Sequence, residues 1–220
     1  MKKTFIITAA VILAIFIIAL AIWLPNRNDS SAADRTEQST APATPPVATY
    51  GNTAYGYELD FPPELETRMY SQDDVVFGHK EGDGIDGVAE ARVLKTGDAE
   101  GGELENAVIG EMANLCAADG PNESLSCSGA DQAGAQAFIS DSGLRGFIFY
   151  LSGEIKNTSA GSSTPIEKGP YVAFPLTDGA TLVIHPPLNK NAKETDASVI
   201  TQVAKSVRIK DAAISSPSGE

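Results

Sequence analysis

Residues 171–185 read Tyr171-Val-Ala-Phe-Pro-Leu-Thr-Asp-Gly-Ala-Thr-Leu-Val-Ile-His185. Two apolar runs, Tyr171 to Leu176 and Thr181 to His185, flank Thr177-Asp178-Gly179-Ala180. Asp-Gly suits the positive φ angles of a tight type I′ turn, so the stretch predicts an antiparallel hairpin. Such a hairpin needs a sheet to join. Upstream, Ala135 to Ile139 and Leu144 to Ile155 pair around Asp141-Ser142-Gly143, which fits a three-residue hairpin loop. Within the second run Phe147, Ile148, Phe149, Tyr150 and Leu151 are apolar on both faces. That predicts a central strand buried on both sides.

Further out, Tyr55 to Phe61 reads as a strand ending at Pro62-Pro63. Val75 to His79 and Val88 to Leu94 are two more, joined by the glycine-rich turn Glu81 to Gly87. Glu103 to Cys116 has a helical period, with Leu104, Ala107, Val108, Met112 and Leu115 on one stripe. A second helix runs from Ala197 to Ser206 behind Asp196 as N-cap, with Val199, Ile200, Val203 and Val207 apolar. Val207 to Ile209 then forms a closing strand. Antiparallel strands with two helices define an α+β domain, a sheet with the helices packed against it.

The domain hangs from an apolar N-terminus. Phe5 to Leu24 is a run of twenty residues in which Thr8 alone is polar. As a helix it spans roughly 30 Å, the thickness of a bilayer's hydrocarbon core. Lys2 and Lys3 precede it, and the one basic residue soon after, Arg27, is offset by Asp29. The positive-inside rule therefore places the N-terminus in the cytoplasm and the rest outside. A cleaved signal peptide is the competing reading, with Ala19-Leu20-Ala21 as its cleavage site, but the apolar run exceeds the usual length of one. The expected organisation is thus a signal anchor at 1–25, a Ser/Thr/Ala/Pro-rich linker without fold at 26–49, an extracytoplasmic domain at 50–210 and a polar tail at 211–220.

All 29 acidic residues follow the anchor, against 14 of the 16 basic ones, so the exterior part carries a net charge of −15. Such a surface repels nucleic acid and anionic lipid. The expected partners are the membrane, through the helix, and another envelope or surface protein. Cys116 and Cys127 both lie in this exterior part. In an oxidising compartment they read as a disulfide. Two free buried thiols are the alternative, since Cys116 sits near the apolar stripe of its helix.

Tyr50-Gly-Asn-Thr-Ala-Tyr-Gly-Tyr-Glu-Leu-Asp-Phe-Pro62 resembles the opening of PsbP/Mog1-like domains, which often begin with an aromatic-Gly-aromatic strand ending in Tyr-Pro or Phe-Pro. The closing helix and strand, Val199 to Ile209, are similar to the end of such domains. Glu64-Leu65-Glu66 stands where they usually have Gly-Trp. The resemblance spans Tyr50 to Lys210 and implies an α-β-α sandwich around an antiparallel sheet. It also implies an accessory or binding role, with no active site shared across the family.

Chemical signatures are sparse. His79 and His185 end separate strands, and His185 before Pro186-Pro187 reads as a surface imidazole. Cys116, Cys127, His79 and His185 lack the short spacing of structural zinc sites. The Glu81 to Glu90 segment departs from the calcium-loop pattern, with Ile85 at its fifth position. There is no Gly-x-Ser-x-Gly elbow, phosphate loop or dinucleotide fingerprint. Asn28, Asn122 and Asn157 each begin an Asn-x-Ser/Thr sequon on the outward side. No catalytic residue, metal or cofactor is expected. The layout points to a membrane-anchored binding or accessory module. The alternative is a carboxylate-dependent hydrolase, which would need two acids close together in a pocket, one with a raised pKa.

Overall fold

The hairpin at 171–185 forms as the sequence predicts. Asp178 and Gly179 take φ values of 59° and 67°, and the Ala180 N–H closes the turn on the Thr177 carbonyl at 3.4 Å. Around it, the computed structural model describes residues 46–116, 118–119, 123–131, 133–157, 159–188 and 196–210. All of these lie in the second of two units into which the chain divides, Pro45–Glu220. The expected anchor, most of the linker, the tail, Asn28 and Asn122 lie outside the described residues. Among the described residues no helix is long and apolar enough to cross a membrane.

Twelve strands and two helices are described. The strands are β1 (Ala48–Asn52), β2 (Tyr57–Phe61), β3 (Glu66–Ser71), β4 (Asp74–Glu81), β5 (Gly84–Lys95), β6 (Ala118–Asp119), β7 (Glu123–Ala130), β8 (Gln136–Ile139), β9 (Arg145–Asn157), β10 (Ser162–Pro175), β11 (Ala180–His185) and β12 (Arg208–Ile209). The helices are α1 (Gly101–Cys116) and α2 (Ala197–Ser206). A large sheet runs β3-β4-β5-β11-β10-β9-β7-β6, with β8 also paired to β9. A small sheet runs β1-β2-β12, and every pairing in both sheets is antiparallel.

Each helix takes its own face of the large sheet. On one face Leu104, Val108, Met112 and Cys116 of α1 pack against Phe147, Phe149, Leu151, Tyr171 and Val183. On the other, Ile200, Val203 and Ala204 of α2 join Tyr57, Leu59 and Phe61 of the small sheet over Phe77, Phe174, Leu182 and Ile184. The alternation of strand side chains puts Leu182 and Ile184 on one side and Val183 and His185 on the other. This is the α-β-α arrangement of an α+β domain.

Several expectations are corrected. The strand buried on both sides is β11, all six of whose residues are buried, whereas β9 alternates buried and half-buried positions. Both layers cover the sheet's centre, and β9 lies one strand from β7 and β8. Within the expected turn at Glu81 to Gly87, Gly84 onward already belongs to β5. The linker gives way to β1 at Ala48 rather than after Thr49. Ala107 is exposed on α1, because the buried stripe turns toward Ala113 instead. Finally β1, β3, β6, β7 and the first half of β10 had no strand signal.

Candidate functional site

Strand register assembles a polar cluster on the α1 face of the sheet. Asp74 of β4 stands opposite Arg92 of β5, and Glu90 of β5 stands opposite His185 of β11. One nitrogen of Arg92, Nη2, donates to Asp74 Oδ2 at 2.6 Å and to Glu90 Oε1 at 2.7 Å. Arg92 Nε adds a bond to the same Glu90 oxygen at 3.0 Å. Glu90 Oε2 accepts the Leu188 N–H at 3.4 Å, which ties the segment after β11 down to the sheet. Glu90 and Asp74 are only 5 % and 15 % exposed in their side chains, so these are interior ion pairs. Pairs of that kind owe their value to full satisfaction rather than to charge alone.

His185 is fully buried, not at the surface as its place before two prolines suggested. Its ring stacks on Tyr171 at 5.7 Å. Nδ1 lies 2.7 Å from the Pro186 carbonyl, which can only accept, so Nδ1 carries the hydrogen. Nε2 then faces Glu90 Oε1 at 3.5 Å. Burial pushes the imidazole down to about 3, and the Arg92 charge pushes the same way while the Pro186 bond opposes. Asp74 moves the other way, up to about 6, first through burial and then through the Glu90 charge, against the pull of Arg92. Burial also lowers Lys168, opposed by Glu90, and raises the Tyr171 phenol. Asp74 Oδ1, His185 Nε2 and Tyr171 Oη are buried without a hydrogen-bond partner among the described residues.

Two close acids, one with a raised pKa, are the pair that a carboxylate hydrolase would need. Here both are gripped by one guanidinium nitrogen, and Leu188 closes over Glu90. A general base must reach a water or substrate proton. Through these bonds the two acids tie β4 to β5, and β5 to the segment after β11.

Of the residues singled out in the sequence, the two cysteines meet and the two histidines do not. Cys116 and Cys127 are joined by a disulfide with a Cα–Cα distance of 6.0 Å, linking the end of α1 to β7. His79 is exposed on β4 opposite Asp86, whereas His185 is interior. No group of three or more metal-ligating side chains is found among the described residues. Asn157 ends β9, and its Oδ1 accepts the Ala160 N–H at 2.8 Å. Glu90, Arg92 and Asp74 had no signal, because the register of β11 on β5 and of β5 on β4 brings them to His185.

A second feature lies at the edge. β3 pairs with β4 alone, and all six of its residues are exposed. They include Met69 at 60 % and Tyr70 at 61 %, the most exposed large apolar side chains among the described residues. Arg68 lies over the Tyr70 ring at 5.4 Å. Neither helix layer reaches this strand, and its outer side has no strand partner among the described residues.

No family model and no curated protein matches the chain. Among solved structures it is similar to the cyanobacterial PsbP, CyanoP, of Synechocystis, at 13 % identity and a TM-score of 0.42 over 76 % of this chain and 95 % of that one. It is also similar to the Ran-binding protein Mog1p of Saccharomyces cerevisiae, at 13 % identity and a TM-score of 0.40 over 76 % and 97 %. A Bacteroides thetaiotaomicron protein follows at 10 % identity and a TM-score of 0.31 over 74 % and 48 %. The first two bear the names of the family that Tyr50 to Pro62 resembles; the antiparallel sheet with two helices is read from this chain itself. Likeness at this level carries neither ligand nor partner, since sites are grafted on folds.

Proposed function

We propose that this chain is a membrane-anchored extracytoplasmic binding or accessory protein that docks an extended partner strand on the free edge of its large sheet. The observation that carries the reading is β3. Proteins usually blunt sheet edges with charge, proline or a covering element, because an open edge recruits any available strand. β3 has no proline and, among the described residues, no cover; its two charges, Glu66 and Arg68, are of opposite sign, and Met69 and Tyr70 stand adjacent and exposed. Strand addition draws affinity from main-chain bonds and specificity from side chains such as these. The run Phe5 to Leu24 supports the attachment, and the Cys116–Cys127 bond fits an oxidising compartment.

The test is site-specific photo-crosslinking of the full chain in intact membranes, with the probe at Tyr70 and a control probe at exposed Asn106 of α1. A discrete adduct from Tyr70 alone is expected. No adduct at Tyr70, or the same products from both sites, would remove edge docking as the function.

A further inference from the structure

We infer that the strand docking on β3 is that of a second copy of this chain, paired antiparallel about a twofold axis at Thr67. This rests on β3 being the docking edge. In an antiparallel ladder directly opposed residues point their N–H and C=O groups the same way, so a twofold axis must pass through a residue. Thr67, Arg68 and Met69 are the interior residues of β3 that lie before the irregular step at Tyr70. An axis at Arg68 would set two guanidinium groups against each other. One at Met69 would run the ladder through the bulge between Met69 and Ser71, where the pairing with β4 shifts.

An axis at Thr67 avoids both. It uses the regular stretch of β3, where Glu66 to Met69 pair in step with Gly78 to Val75 of β4. Glu66 of each copy then faces Arg68 of the other, giving two symmetric charge pairs, while Thr67 faces Thr67. Opposite charges and Thr–Thr pairs are both favourable cross-strand partners. Glu66 is free to change partner, because its contact with Lys80 is exposed and 3.9 Å long. Met69 would fall opposite Leu65, which precedes β3 and is itself buried, so the ladder proper is the stretch Glu66 to Arg68. The short ladder is helped by confinement of both copies to one bilayer, which raises their effective concentration. It is opposed by the chain's net charge of −13, a repulsion that salt screens together with the two charge pairs.

Thr67→Cys in the full chain supplies the test, since Cys116 and Cys127 are bonded to each other. Opposed residues sit about 4.5–5.5 Å apart between Cα atoms, within disulfide reach. In native membranes under mild oxidant the Thr67→Cys chain should form a covalent dimer, and Asn106→Cys at least about tenfold less. Adding Glu66→Arg should cut the Thr67→Cys dimer about tenfold or more, because like charges then oppose across the ladder. Glu66→Arg with Arg68→Glu should restore it by swapping the pair. Equal crosslinking at 67 and 106, or no response to Glu66→Arg, would overturn the second copy as occupant. A Tyr70 photo-adduct of another mass without a Thr67→Cys dimer also overturns it, yet leaves edge docking standing. Absence of both adduct and dimer removes the two readings together.

Discussion

Burial holds the His185 imidazole down to about 3, so the folded chain keeps it neutral where the unfolded chain, near the ordinary 6.5, takes a proton. Its contribution to stability is therefore present above about pH 6.5 and is lost as pH falls toward 3. Asp74 has the opposite sign. With its carboxyl raised from 3.8 to about 6, the folded state holds a proton that the unfolded state has released, so this contribution is lost as pH rises from about 4 to 6. The two effects offset each other across one window. Asp74→Asn removes one of them and keeps the shape. Relative to the wild type, the variant should gain stability steadily between about pH 4 and 6 and hold a constant difference above pH 7, as read from urea midpoints at each pH. A difference that does not change with pH would mean that the Asp74 carboxyl titrates alike in the folded and unfolded chain. Backbone approach gives a second residue-scale prediction. A Cβ at Gly146 would lie 2.1 Å from the Ala173 carbonyl oxygen and 2.8 Å from Phe174 Cδ1. Backbone cannot yield cheaply there, so Gly146→Ala should cost about 1–3 kcal/mol or more in denaturant unfolding.

The elements differ in how much of their environment is written in local sequence. α2 has its whole signature: Asp196 Oδ1 accepts the Ser198 N–H at 2.9 Å, as an N-cap should, and the apolar stripe enters the core. Asp196→Ala should therefore cost about 1 kcal/mol, measured by thermal or urea unfolding. In α1, Gly110 is exposed with nothing within 4 Å of an added Cβ, so Gly110→Ala should stabilise by about 0.5–1 kcal/mol. The 171–185 hairpin was legible for the same reason, since its turn chemistry and its burial agree. β3 was not legible, because periodicity records a contrast between faces and both of its faces are wet. β7, with the sequence Glu-Ser-Leu-Ser-Cys-Ser-Gly-Ala, reads as loop because its serines mimic turn composition. The candidate site fared likewise. His185 stood out as a histidine, but its partners are set by cross-strand register, which no spacing rule along the chain contains.

For the whole molecule, the question is where the domain sits and what keeps it intact there. Cys116–Cys127 closes a loop of separation 11 and ties α1 to the sheet through β7, which in the chain-entropy model stabilises by about 3 kcal/mol. A domain outside the membrane would keep that bond, and its surplus of acids would hold it off an anionic bilayer. Protease added to sealed right-side-out vesicles should cut near residues 26–45, where the sequence has the composition of a linker, and release one fragment of the domain into the supernatant. That fragment should resist thiol alkylation until reduced. The N-terminal remnant should stay with the membrane through alkaline carbonate extraction, as a spanning helix does and a cleaved signal does not. Inside-out vesicles should protect the domain. Release from inside-out vesicles only would reverse the orientation read from Lys2 and Lys3. Extraction of the uncut chain by carbonate would remove the anchor, and with it the confinement to one bilayer that lets a ladder as short as β3 suffice.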